Sequence, residues 1–210
     1  MKRCFDLLVS SVGLLFLSPL LLVLALLVTT TSPGGPFFSQ TRIGRDRRPF
    51  KILKFRSMTI KAGSELGGFD AGDSARITSL GRFLRRTKLD ELPQLWNVLV
   101  GDMSLVGPRP EVPEWTLVHP ERWERILVVR PGLTDPGSIL FRDEERLLAE
   151  SEDPERTYRE EILPRKLELA EEYVAHRTFS GDLAILVLTA RKILKPGTGT
   201  NRWDARESDR

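Results

Sequence analysis

The hydrophobic pattern divides the chain into an uninterrupted apolar segment near its start and a longer, mixed remainder. Leu7 to Val28 forms an apolar run of 22 residues, and no formal charge occurs between Leu7 and Thr41. As a helix, such a run rises about 33 Å, which is enough to cross the hydrocarbon core of a bilayer. It is too long for the apolar region of a secretory signal, so it predicts a membrane helix.

The path of this predicted helix depends on Ser18-Pro19, which lies in the middle of the apolar run. A proline inside a helix removes one backbone hydrogen bond and bends or breaks the helix. Basic residues flank both ends of the run, and the positive-inside rule assigns both flanks to the cytoplasm. The flanking cations are Lys2 and Arg3 before it and Arg42, Arg45, Arg47, Arg48, Lys51, Lys54 and Arg56 after it. A kinked spanning helix and a re-entrant helix broken at Ser18-Pro19 both fit this pattern.

Turn-forming residues after the apolar run mark a boundary, because residues 31–36 read Thr-Ser-Pro-Gly-Gly-Pro. We therefore divide the chain into a membrane helix at 1–33, a catalytic domain lying on the membrane surface at 34–195 and a flexible tail at 196–210. The polar, glycine-rich segment Ala62 to Ser74 predicts a loop.

Two short runs rich in aromatic and β-branched residues, Phe37 to Ile43 and Phe50 to Phe55, predict the strands of a hairpin. The second run and the residue after it carry a basic face made of Lys51, Lys54 and Arg56. A solvated face and a face that lies on anionic lipid headgroups both fit these cations.

Apolar residues at helical spacing predict helices over most of the remaining chain. The expected helices are one from Arg76, one beginning near Asp90-Glu91 with Leu92, Leu95, Trp96 and Leu99 facing the core, one from Glu111 to Val129, one or two from Glu144 to His176, and an apolar helix at Leu183 to Leu194. Asp182 is expected to cap the last of these. The predicted fold class is therefore mainly α with a short β-hairpin (α+β), in which amphipathic interfacial helices surround a small catalytic domain.

Composition narrows the function classes. The single Cys4 excludes an internal disulfide framework, and the isolated His119 and His176 argue against a zinc site. Net charge is only +3, but Asp143 to Glu172 is strongly acidic while the first 58 residues are basic. The basic residues lack an aromatic stacking surface or a reading motif, so we do not expect a nucleic-acid partner. Anionic lipids or phosphates fit the basic half better.

The strongest candidate chemistry lies at Asp90 and Glu91, two adjacent carboxylates set among basic residues. Carboxylates held between cations suit chemistry on a phosphate, because they can attack phosphorus or bind a metal while the cations bind phosphate oxygens. Arg85, Arg109 and Arg142 are the candidate phosphate-binding cations, and Pro108 and Pro110 hold Arg109 in extended backbone.

Three other interpretations fit the residues alone. Thr87-x-x-Asp90 could be a simple capping arrangement, with the arginines paired to the acidic half of the chain. The same carboxylates with Mg²⁺ would also serve a membrane-anchored phosphohydrolase that passes the phosphoryl group to water. A non-enzymatic membrane adaptor would use the basic strand on lipid and the acidic helices for a partner.

A series of long motifs extends in order along nearly the whole chain, to about residue 195. They are Lys2-Arg3-x-Phe5-Asp6, Ser18-Pro19, Gly35-Pro36, Gln40-x-Arg42-x-Gly44, Lys54-Phe55-Arg56-Ser57-Met58, Leu89-Asp-Glu-Leu-Pro-Gln-Leu95 with Asn97, Gly101-Asp-Met-Ser-Leu-x-Gly-Pro-Arg-Pro110 and Arg130-Pro-Gly-x-Thr134. With these motifs the chain resembles the bacterial sugar transferase family, the monotopic phosphoglycosyl transferases, in its minimal catalytic-domain form.

The resemblance implies transfer of a sugar-1-phosphate from a UDP-sugar to polyprenol (undecaprenyl) phosphate, with release of UMP, at the start of glycoconjugate or polysaccharide assembly. It implies Asp90 as the nucleophile of a ping-pong reaction through a covalent phosphosugar-aspartate. Glu91 would assist at a Mg²⁺ ion, with Asp90 and Glu91 as metal ligands, while Arg85, Arg109 and Arg142 would bind phosphate or uridine.

The resemblance also implies a re-entrant N-terminal helix, with Lys2 and Arg3 anchoring its start at the headgroups. The protein would then be monotopic in the bacterial inner membrane, with its catalytic domain facing the cytoplasm; a homodimer is left open. One departure affects the donor site. Many family members read Gly-Trp-Ala-Gln-Val-x-Gly-Arg after Thr134, whereas this chain reads Asp135-Pro-Gly-Ser-Ile-Leu-Phe-Arg142.

Overall fold

The computed structural model describes residues 1–60 and 74–194. The predicted tail at 196–210 and nearly all of the predicted loop at 62–74 lie outside this part. The helices in the described part are α1 (Lys2–Thr31), α2 (Ser79–Thr87), α3 (Gln94–Val100), α4 (Pro113–Thr116), α5 (Pro120–Ile126), α6 (Pro136–Leu140), α7 (Glu144–Ala149), α8 (Pro154–Thr157), α9 (Leu163–His176) and α10 (Phe179–Leu194). The mainly helical class with a hairpin is therefore confirmed.

The strands form two small sheets. They are β1 (Phe37–Ile43), β2 (Pro49–Phe55), β3 (Ser104–Val106) and β4 (Gly132–Thr134). The first two pair antiparallel, as the sequence predicts, and the last two pair parallel. A Cβ atom at Gly132 would lie 2.1 Å from the backbone nitrogen of Gly107, so the close approach of the parallel strands requires glycine there.

Helix α1 runs without interruption through Pro19, so no break separates its two halves. Pro19 has no N–H to donate to the carbonyl oxygen of Leu15, four residues earlier. The hydroxyl of Ser18 donates to that same oxygen at 2.7 Å and replaces the missing bond. This substitution explains why helical structure continues across the predicted break. The re-entrant path itself stays a prediction.

One stripe of α1 packs on the rest of the protein along its whole length. Leu24 and Val28 are buried, and the residues Phe5, Val9, Leu14, Leu17, Leu21 and Ala25 are partly buried against the same domain. The opposite stripe is exposed and apolar, with Leu8, Leu15, Phe16, Leu22 and Leu26 among its members. The helix is long and apolar enough to span a membrane.

Polar side chains fix the start of α1 to the domain. Lys2 Nζ donates to the carbonyl oxygen of Val106 at 2.9 Å and forms an ion pair with Asp182 of α10. Arg3 donates to the carbonyl oxygens of Val98 and Leu99 at the end of α3. The predicted role of Lys2 and Arg3 at the headgroups is a separate question that these contacts leave as a prediction.

Several predictions about individual helices are wrong. The region predicted as one helix from Glu111 to Val129 contains two short helices, because His119 adopts left-handed backbone (φ 58°) before Pro120. Trp96 is half exposed rather than in the core. Asp182 does not cap α10, since Thr178 Oγ1 accepts the N–H of Gly181 there.

The core has three clusters, and the middle one lies beneath the site. It joins α1, α3, α10 and the parallel strands through Leu95, Val98, Met103, Leu105 and Tyr173. A second cluster fills the space between α5 and α9, and the third packs the end of α1 on β2 and α2. The hairpin and the segment between α2 and α3 are thereby held against one another.

Candidate active site

The two candidate carboxylates lie on a 3-10 turn at Leu89–Glu91, just ahead of α3. Lys88 ends α2 in left-handed backbone (φ 59°), and this reversal turns the following residues inward. Both Asp90 and Glu91 are buried. The capping alternative is wrong, because the Thr87 hydroxyl donates back to the carbonyl oxygens of its own helix.

Glu91 is held between two cations from different parts of the chain. Lys54 Nζ of β2 lies 2.8 Å from Glu91 Oε1, and Arg109 forms an ion pair with the same carboxylate. Burial alone would raise the pKa of Glu91, but the charges of Arg109 and Lys54 outweigh it and hold that pKa well below its ordinary value. Glu91 is therefore a permanently ionised carboxylate.

Asp90 has a different environment from its neighbour. Its Oδ1 atom is buried and has no hydrogen-bond partner among the described residues. Burial raises the pKa of Asp90 above its ordinary value; the charge of Lys54 opposes this rise and that of Glu91 adds to it. Two adjacent carboxylates with pKa values shifted in opposite directions can take different chemical roles. Asp90 is the one with an oxygen free to react.

Arg109 is mounted on a stiff loop. Pro108 and Pro110 flank it, and their carbonyl oxygens accept bonds from the Gly132 N–H at 2.9 Å and from Arg42 at 3.3 Å. The charge of Glu91 raises the pKa of Arg109, so this guanidinium stays charged. The predicted part of these prolines in nucleotide binding stays a prediction, but their part in fixing the loop is direct.

The other two predicted arginines direct their guanidinium groups away from the carboxylates. Arg85 forms an ion pair with Glu145 on α7. Arg142 donates to the backbone carbonyl oxygens of Lys192 and Arg86, which lie near the ends of α10 and α2. Binding of phosphate or uridine by Arg85 and Arg142 stays a prediction.

Lys54 is the site residue that sequence analysis placed elsewhere. The basic face of the second strand was expected to contact solvent or lipid headgroups, whereas Lys54 bonds to Glu91. Asn97 secures this placement, since its side chain accepts the Leu53 N–H at 3.0 Å and donates to the Lys51 carbonyl oxygen at 2.8 Å. Both residues belong to the motifs quoted above, which was the available signal.

The carboxylates can be tested as a Mg²⁺ site. Within residues 1–60 and 74–194, no three acidic, histidine or cysteine side chains gather closely enough to enclose a metal. Mg²⁺ commonly takes one or two carboxylates and completes its shell with water and substrate phosphates. The unpartnered Oδ1 of Asp90 fits that donor set, whereas both oxygens of Glu91 already accept bonds from cations.

Comparison with known proteins gives consistent matches along the chain. A family model described as bacterial sugar transferase matches residues 1–196. The UDP-glucose:undecaprenyl-phosphate glucose-1-phosphate transferase of Escherichia coli (strain K12) is 36% identical over 200 residues, which cover 91% of this chain and 40% of that protein. The uncharacterized sugar transferase EpsL of Bacillus subtilis (strain 168) is 37% identical over 195 residues, or 92% of this chain and 87% of EpsL.

A third relative is a UDP-glucose:undecaprenyl-phosphate glucose-1-phosphate transferase of Klebsiella pneumoniae, which is 43% identical over 145 residues, 66% of this chain and 30% of the relative. The chain thus spans less than half the length of the Klebsiella and Escherichia proteins. The match to the family model nevertheless includes the carboxylate turn, the Arg109 loop and the strand that carries Lys54. The chain belongs to the bacterial sugar transferase family.

Proposed function

We propose that this protein moves a sugar-1-phosphate from a UDP-sugar to polyprenol phosphate and releases UMP. The observation that carries the proposal is the buried Asp90, whose Oδ1 lacks a partner in the described structure, beside the cation-bound Glu91. The printed names of the Klebsiella and Escherichia relatives, which are undecaprenyl-phosphate glucose-1-phosphate transferases, support the same donor and acceptor classes.

The reaction proceeds in two displacements at one phosphorus atom. The Asp90 carboxylate attacks the phosphorus that bears the sugar, the bond to the bridging oxygen breaks, and UMP leaves with the electron pair. A phosphosugar-aspartate forms. A phosphate oxygen of polyprenol phosphate then attacks that phosphorus and releases the Asp90 carboxylate. The product is a polyprenyl diphosphate sugar, and water is not consumed.

The cations around the carboxylates stabilise the charge that these steps generate. Arg109 and Lys54 lie against Glu91, where they can also reach phosphate oxygens of a bound diphosphate. Bound Mg²⁺, held by Asp90 with help from Glu91, would neutralise charge on the diphosphate. Arg85 and Arg142 would add positive charge on the nucleotide side.

Membrane attachment is proposed to be monotopic, with the catalytic domain on the cytoplasmic face of the bacterial inner membrane. Both ends of α1 contact the same domain: Lys2 pairs with Asp182, and Ser32, just after the helix, is buried beside Met58. A helix that crossed the bilayer would carry its two ends to opposite sides. The exposed apolar stripe of α1 would face lipid, and nearby cations would contact anionic headgroups.

The experiment is UMP release from a panel of UDP-sugars in the presence of Mg²⁺ and polyprenol phosphate. Release that requires the lipid, survives in Glu150→Gln and is lost in Asp90→Ala and Glu91→Ala is the expected result; Glu150 is an exposed carboxylate at the end of α7. Acceptor-independent release would instead identify a hydrolase. Full biological activity of Asp90→Ala would favour an adaptor.

A further inference from the structure

An open cleft of about 1200 Å³ begins at the carboxylates and extends along α10. Glu91 and Arg109 line one end of it. Its far end reaches Ile193 of α10. Ligand clefts for drug-sized molecules span roughly 300–1,000 Å³, so this one has room for a phosphate group and a length of attached chain.

The floor of the cleft is apolar. Leu95, Leu105 and Leu186 line it, and all three belong to the core cluster on which α1 packs. The threonines of the lining satisfy each other, since Thr134 Oγ1 and Thr189 Oγ1 form a hydrogen bond of 2.8 Å. A sugar or uridine buried on this floor would lack hydrogen-bond partners, whereas a hydrocarbon would not need them.

Polar groups concentrate at the carboxylate end and the rim. The N–H of Ser138 donates to Asp135, which also accepts the backbone N–H of Arg109, so this lining hydroxyl lies on the Arg109 side. Cations on the rim include Lys88 and Lys192. A ligand with one anionic head and a long apolar body matches this distribution of charge.

The apolar floor continues toward surfaces that suit lipid. Leu186 and Ile193 of α10 line the cleft, while Val187, Leu188 and Leu194 of the same helix are exposed. Since α10 also meets the start of α1 through the Lys2–Asp182 pair, the cleft lies between the carboxylates and the apolar membrane helix.

We propose that this cleft binds the isoprene units next to the phosphate of the lipid acceptor, with Leu186 as a chain-contacting residue on α10. The inference rests on the proposed function, and it assigns the acceptor chain to a site that also ends at Asp90's neighbour Glu91. It predicts that chain contacts contribute to acceptor recognition separately from the phosphate.

The first test compares Leu186→Gln with Leu188→Gln, a matched change on the outward side of α10. We expect Leu186→Gln to raise KM for undecaprenyl phosphate by roughly 10-fold or more, since burying a leucine side chain contributes about 1.5–3 kcal/mol. KM for the UDP-sugar should stay within about twofold in both variants. A selective rise in KM for the UDP-sugar, or no change in either KM, would overturn the proposal.

A second test needs no turnover. Cys4 is exposed and is the only cysteine of the chain, so Cys4→Ser provides a background for Leu186→Cys. Undecaprenyl phosphate should slow maleimide labelling of Leu186→Cys, while geranyl phosphate, with two isoprene units, should do so only at higher concentration. Equal protection by inorganic phosphate or UDP-sugar would overturn the assignment. Protection by the lipid without lipid-dependent UMP release in wild type would uphold the chain site and refute the transferase.

Discussion

Lys54 Nζ lies 2.8 Å from Glu91 Oε1, which joins the hairpin to the carboxylate turn. Both side chains are largely removed from water, so each depends on the other for compensation of its charge. The same Glu91 oxygen also accepts from Arg109, which makes this carboxylate the point where three separate segments meet. The hairpin is thus part of the site rather than only a surface ribbon.

Replacing Lys54 by methionine tests this relationship. We expect Lys54→Met to lower kcat/KM by about 10²-fold, because it removes a preorganised positive charge from the reacting phosphate and leaves Glu91 with Arg109 alone. Lys51→Met is the matched control on the same strand, since Lys51 is exposed, and it should stay within about twofold. Steady-state UMP release measures both; equal losses would show that strand charge in general, not Lys54, matters.

Asn97→Ala should release β2 from α3. Its side chain bonds to the backbone at Leu53 and Lys51, on either side of the strand position before Lys54. Losing both bonds leaves two backbone groups unpaired, so the free energy of unfolding should fall by about 2 kcal/mol, with a loss of activity through misplaced Lys54. Denaturation followed by tryptophan fluorescence measures the change. Val100→Ala on the exposed side of α3 should alter stability by less than about 0.5 kcal/mol.

Local patterns predicted the hairpin, the membrane helix and the carboxylate turn, because each depends on residues close together in sequence. The pair Lys54–Glu91 depends on how the hairpin docks on α3, and strand periodicity carries no information about that docking. Trp96 follows the apolar spacing of a core residue, yet half of it is exposed, since the helix presents another face to the core. The break at His119 needed left-handed backbone that its sequence does not demand.

Glu111 should make stability depend on pH. It accepts from Arg42 at 2.9 Å and from the Tyr158 hydroxyl at 2.5 Å. Burial alone would raise the pKa of Glu111, but Arg42 and further polar contacts hold it below its ordinary value of 4.5. A depressed carboxyl pKa gives stability that is present above the unfolded pKa and is lost as pH falls through the folded one.

We therefore expect Glu111→Gln to lower the free energy of unfolding by about 2 kcal/mol at neutral pH. The difference from wild type should shrink as pH falls below about 4.5, where the wild-type carboxyl itself becomes protonated. Urea denaturation at a series of pH values measures this. The exposed variant Glu114→Gln should show no such trend, and a constant difference at all pH values would refute the electrostatic explanation.

Ser18 and Pro19 should be energetically coupled, because the Ser18 hydroxyl bonds to the carbonyl oxygen that Pro19 cannot serve. Both residues are on the exposed side of α1, where a lipid environment offers that oxygen no other donor. Ser18→Ala should therefore lower the unfolding free energy by about 1 kcal/mol in wild type. In a Pro19→Ala background the restored backbone N–H takes over the bond, and the same substitution should cost almost nothing. A double-mutant cycle in nanodiscs measures the coupling, and equal effects of Ser18→Ala in both backgrounds would show that the hydroxyl does not replace the missing bond.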